Sequence, residues 1–177
     1  MIRAIDVANF LINLVNQSEI DDQITNLRIN KLLYFVQGEY LAKHDKPLFE
    51  DDIEAWTYGP VIPNVYNTFK SLNRLPIQDV TDDCYNSVFT REDKLFLINV
   101  LVKYGSYSTG RLVEMTHAPG TPWSLTEQSD VIPNELIKDF FKSHVVDKNT
   151  KIDDESNFIG YRDEDNILVL PKEWDDD

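Results

Sequence analysis

A chain of 177 residues, 42% hydrophobic and 27% charged, holds enough apolar material for one self-sufficient core, so no disulfide or metal staple is required. Its single cysteine, Cys84, excludes an internal disulfide, and no apolar run approaches the ~20 residues of a transmembrane helix. The net charge of −14, from 31 acidic and 17 basic residues, disfavours direct nucleic-acid binding, which rests on Lys and Arg neutralising phosphates.

In chain order, Ile5, Ala8, Leu11, Ile12 and Val15 form one apolar stripe at helical spacing. The same stretch lacks the basic start and apolar block of a secretory signal, so a soluble, cytoplasmic protein is expected. Ile29, Leu32, Leu33, Val36 and Tyr40 predict a second helix over about residues 25–43, stopped by Asp45, Lys46 and Pro47. The helical period then disappears. Residues 53–58 are rich in strand formers and predict a short strand, with Gly59-Pro60 breaking the chain after it. Pro63 suits the first turn of a helix whose apolar side is Val65, Tyr66, Phe69 and Leu72.

Residues 74–89 are polar and irregular and read as a surface loop. Thr90 to Asp93 forms a capping-box pattern for a helix lined by Leu97, Val100, Leu101 and Tyr104 and ended at Gly105. Ser108 suits the cap of a short helix that stops before Pro119, and Thr121-Pro122-Trp123 reads as a further helix start. Pro133 opens the last helix, with Leu136, Ile137, Phe140 and Phe141 inward. Two short apolar runs flank a polar turn at 158–170 and predict a small hairpin. The expected architecture is mainly α: a single-domain helical bundle over 1–146 with a small β element, and a partly ordered acidic appendage at 147–177. That appendage carries eleven acidic and four basic residues, a net of −7, half of the charge excess. Such a field keeps a protein in solution and also speeds encounter with a basic partner.

The residues offer little for catalysis. His44, His117 and His144 are far apart and have no second His or Cys at ligand spacing, so no metal is expected. Cys84 follows Asp82 and Asp83, whose charge disfavours a thiolate. No nucleophile elbow, Walker loop or dinucleotide fingerprint is present, and no cofactor is expected. The distinctive stretch is 56–66. It sets Trp56, Tyr58 and Tyr66 around Gly59, Pro60 and Pro63, that is, aromatic side chains on a restricted backbone, as binding hot spots use them. Packing of Trp56 and Tyr58 beneath the second helix is the alternative.

The segment Asn30-Lys31-Leu32-Leu33-Tyr34-Phe35-Val36-Gln37-Gly38 resembles the "KLLYFaqG" helix of the Panacea-domain proteins, which comprise SocA-like antitoxins and GepA-like phage-associated proteins. Pro47-Leu48-Phe49 and Glu54-Ala55-Trp56-Thr57-Tyr58-Gly59-Pro60-Val61-Ile62-Pro63 resemble the family's "PLF…eAWkyGPVvp" segment. Tyr104-Gly105 with Leu112, then Thr116-His117 with Pro122-Trp123, resemble its later elements. The likeness spans about 5–141 and leaves 147–177 without a counterpart. It implies a mainly helical fold and a non-enzymatic role: binding and neutralising a cognate toxin, in some members as an adaptor delivering it to an AAA+ protease such as ClpXP. The partner-binding residues it and the aromatic cluster nominate are Lys31, Tyr34, Trp56, Tyr58, Gly59, Pro60, Tyr66, His117 and Trp123. Tyr58 and Tyr66 are expected on a surface shared with Lys31 and Tyr34, beside a rigid strand-to-helix corner at Gly59-Pro60. Two alternatives stand: a prophage-encoded inhibitor of a basic host protein, and an enzyme whose scattered site uses His117, Trp123 and Tyr58.

Overall fold

In a computed structural model the described residues are 1–17, 24–78, 80, 88–145, 161–162 and 168–169. Their core is built around one helix. Helix α1 (Ala4–Gln17) and helix α2 (Asn26–His44) precede a hairpin of β1 (Glu54–Trp56) and β2 (Gly59–Val61). Helix α3 (Pro63–Phe69) runs into a 3₁₀ turn at Lys70–Leu72. Helices α4 (Arg91–Gly105), α5 (Thr109–His117) and α6 (Asn134–Val145) follow. The protein is mainly α, with six α-helices among the described residues and a small antiparallel sheet.

Local chemistry sets the helix ends. Thr25 accepts from the Arg28 N–H at the start of α2, and Ser108 accepts from the Arg111 N–H at the start of α5. Thr90 and Asp93 complete the reciprocal capping box of α4. Asp45 takes a left-handed conformation (φ 56°) and returns its N–H to the Leu41 carbonyl, closing α2. Pro63 occupies the first turn of α3, where a missing N–H costs nothing.

Helix α2 touches α1, α3, α4, α5, α6 and β2 and is the hub of the bundle. Its predicted stripe is buried, but so is most of its circumference, including Asn26, Arg28, Asn30, Lys31 and Gln37. Gly38 lets α6 approach: a Cβ there would stand 2.3 Å from the Phe141 ring. Phe141 packs edge-on against Tyr34 and Phe35, and Phe35 stacks on Tyr104 of α4 at 4.2 Å.

Three sequence expectations change. Gly59-Pro60 does not break the chain after one strand; it forms β2, paired antiparallel with β1 in the register Glu54↔Val61, Ala55↔Pro60 and Trp56↔Gly59. Gly59 supplies the positive φ (100°) that closes so tight a turn, which is why the pair reads as punctuation in sequence. Thr121-Pro122-Trp123 begins a turn, not a helix: Thr121 caps the Ser124 N–H, then residues 129–132 run alongside β1, with Ala55 N–H donating to Asp130 O and Ile132 N–H to Ile53 O. The stretch 74–89 is not wholly a surface loop, since Ile77 and Phe89 are buried and Asn16 holds the Ile77 and Gln78 carbonyls.

The expected C-terminal hairpin is present as a pair of two-residue strands, β3 (Tyr161–Arg162) and β4 (Leu168–Val169), antiparallel. The remaining tail, including Phe158, Ile159 and Asp175 to Asp177, and the loop around Cys84 lie outside the described residues, as does the His144 side chain.

Candidate partner-binding face

Buried polar side chains of α2 hold the hairpin in place. Asn30 Oδ1 accepts from the Ile62 N–H at 2.9 Å while its Nδ2 donates to Asn26 O. Lys31 Nζ donates to the Pro60 carbonyl at 2.8 Å. One turn and a half further on, Gln37 donates to Phe49 O (2.8 Å) and accepts from the Leu48 N–H (3.0 Å), fixing the approach to β1. Each bond satisfies a backbone group that burial would otherwise leave unpaired.

From the other side, α5 and the following turn latch the tip of the hairpin. Trp123 Nε1 donates to Trp56 O at 2.8 Å, and the Trp123 ring lies 3.8 Å, centroid to centroid, from His117. The two His117 ring nitrogens face carbonyl oxygens: Nδ1 stands 2.7 Å from Val113 O and Nε2 3.2 Å from Thr57 O. Gln128 Nε2 donates to Thr57 Oγ1. Clamped this way, the turn presents Tyr58 to solvent at 70% exposure. Tyr66, on α3, is exposed too and meets the half-buried Trp56 edge-on at 4.9 Å.

These three aromatics form one wall of a groove of about 830 Å³, the size range of ligand clefts. It is also lined by Thr25, Asn26, Leu27, Arg28 and Asn30 at the start of α2 and by Thr109, Gly110 and Val113 of α5. Lys70 and Arg74 stand exposed along it. Arg28 lies beneath, donating to Gly105 O, Tyr107 O and Thr109 Oγ1.

The nominated residues therefore divide into two groups. Trp56, Tyr58 and Tyr66 come together on the groove, and His117 and Trp123 hold the tip that carries Tyr58. Lys31 and Tyr34 do not share that surface: at 0% and 1% exposure they are buried, Tyr34 against Phe141 of α6, and Gly59 and Pro60 are buried too. Burial lowers the Lys31 ammonium to a pKa of about 7 and pushes the Tyr34 hydroxyl above its usual range. Sequence reasoning missed Arg28, Lys70, Arg74 and Gln128 as neighbours of the aromatics. The only signal was the four-residue spacing of Lys70 and Arg74. Among the described residues no group of three or more His, Cys, Asp or Glu is placed to hold a metal, and no helix is long and apolar enough to cross a membrane.

Comparison with known proteins matches residues 29–124 to the family described as "Antitoxin SocA-like, Panacea domain". That span holds most of the hub helix, the hairpin, and the His117 and Trp123 of the latch. The chain belongs to this family. It is also similar to Antitoxin SocA of Caulobacter vibrioides (strain NA1000 / CB15N), 34% identical over 137 residues that cover 72% of this chain and 69% of that protein. No solved structure matches. Membership of the SocA-like family gives the chain an antitoxin-like character, and an antitoxin implies a cognate toxin as its partner.

Proposed function

We propose that this SocA-like chain neutralises a cognate toxin protein by binding it directly, and that the groove bearing Trp56, Tyr58 and Tyr66 is the docking face. The observation that carries the reading is the placement of this groove. Its aromatic wall, its basic edge and the latch behind it fall almost entirely within residues 29–124, the span of the family match. Tyr58 supports it further. A large aromatic at 70% exposure contributes little to the core, whereas exposed aromatics on a held backbone are what protein interfaces use. The role needs no catalytic group, and the buried Lys31 and the carbonyl-facing His117 serve to hold the hairpin rather than to move protons.

In the adaptor form of this reading the bound toxin is passed to an AAA+ protease of the ClpXP type. A toxin half-life that shortens only when both the chain and the protease are present is its signature. The primary test is co-expression with the product of the neighbouring gene, scored first for toxicity when expressed alone. Wild-type chain should restore growth, and Tyr58→Ala, at undiminished soluble level, should not. Full rescue by Tyr58→Ala at equal abundance would remove this face from the reading.

A further inference from the structure

The groove has a charge character opposite to that of the molecule. The chain carries 31 acidic residues against 17 basic ones, yet among the described residues the groove is lined by Arg28, Lys70 and Arg74 and by no Asp or Glu. Lys70 follows directly on α3 and Arg74 lies just past the 3₁₀ turn, and both exposed cations line the groove together with Tyr66. Opposite charges meeting in a half-enclosed, aromatic-lined groove interact more strongly than on open surface, because less water screens them.

The geometry points to an acidic segment of the partner protein as the occupant of this groove: a short stretch in which carboxylates alternate with aromatic or apolar side chains. The carboxylates pair with Lys70 and Arg74, and the apolar groups cover Trp56, Tyr58 and Tyr66. This rests on the reading that the groove face is where the toxin docks, and it adds the chemistry of the docked segment. A peptide fits better than a nucleic acid. A phosphate at every nucleotide would meet only two exposed cations, within the field of a molecule of net charge −14. Strand addition to β1 is not the mode, because β1 is already flanked by β2 on one edge and by residues 129–132 on the other.

The test uses the full chain and fluorescence anisotropy with a labelled peptide of repeated Glu-Tyr-Glu-Leu, its counterparts with Gln or Lys in place of Glu, and an oligothymidylate. The Glu peptide should bind best and the Lys peptide worst. Lys70→Glu with Arg74→Glu, both at exposed positions, should weaken the Glu peptide by about tenfold or more and turn the preference toward the Lys peptide. A reversed preference cannot come from unfolding. Unchanged affinity in the double variant, or oligothymidylate binding more tightly than the Glu peptide, would overturn the proposal. So would tighter binding of a peptide of residues 163–177, which would make the occupant this chain's own acidic end. Growth rescue separates the two readings. Reversed peptide preference with rescue intact upholds the groove's chemistry and removes the toxin as its owner. Lost rescue in Tyr58→Ala with no charge preference among the peptides upholds the docking face and overturns the acidic segment.

Discussion

Lys31 reaches the Pro60 carbonyl with its ammonium group entirely out of water, and that position has a measurable consequence. Burial lowers its pKa from 10.5 to about 7, on the order of 5 kcal/mol of differential stability between the two protonation states. Between pH 7 and 10 the unfolded chain keeps this proton while the folded chain releases it. The unfolded state then binds more protons, so stability rises with pH across that window. Below pH 7 both states hold the proton and the desolvation cost is fully present. Tyr34 and Tyr104, whose hydroxyls burial pushes upward, titrate above the window. The urea midpoint should therefore climb from pH 7 to 9.5 in the wild type. Lys31→Met, which removes the titrating group, should flatten that climb without lowering the midpoint at pH 7. An identical pH profile in the variant would show that Lys31 stays charged in the fold. Tyr58 behaves differently because it is exposed: Tyr58→Ala should leave the thermal midpoint within about 0.5 kcal/mol equivalent of wild type, the usual range for surface changes, while abolishing neutralisation.

Helix α6 and the β1–β2 hairpin each depend on one glycine. Gly38 brings the Phe141 ring within 2.3 Å of where a Cβ would stand, so Gly38→Ala should push α6 from α2. Overpacking of this kind costs about 1–3 kcal/mol, and Phe141→Leu in the same chain should recover part of it. Chemical denaturation of the single and double variants reads the coupling; additive losses would mean the ring moves aside freely. Gly59 combines a φ of 100° with Lys31 Cε and Thr116 Oγ1 inside 3 Å of its missing Cβ. Gly59→Ala should therefore loosen the tip that carries Tyr58. Amide exchange at residues 57–59 should quicken well before exchange in α2 does.

The bundle has one centre, since α2 contacts each of the other α-helices and β2. Leu33, fully buried on that helix, is accordingly a global position: Leu33→Ala should cost about 2–5 kcal/mol and lower the melting temperature of the whole domain. Because α1, α3, α4, α5 and α6 all close over α2, its amides between Ile29 and Leu41 should exchange only through global unfolding, with the slowest rates in the chain. Faster exchange there than in α4 would show that the bundle opens around its hub.

What the sequence determined by itself was local. Thr90 and Ser108 announced their helices because a cap is made within three or four residues, and the Ile29–Leu32–Leu33–Val36 stripe announced a core face because helical spacing needs no partner to be read. The aromatic set Trp56, Tyr58 and Tyr66 was likewise legible as a cluster, being eleven residues from end to end. Tertiary structure decided the rest, because those choices depend on atoms far apart in the chain. Lys31, Asn30 and Gln37 look like a solvated polar face until Pro60, Ile62 and Phe49 present the backbone groups that satisfy them, and only then can α2 be buried nearly all round. Gly59-Pro60 reads as a stop until β1 and α2 hold it as a strand. The groove exists only after the fold brings Lys70 and Arg74, from the end of α3 and beyond it, together with the start of α2 and with Thr109, Gly110 and Val113 of α5.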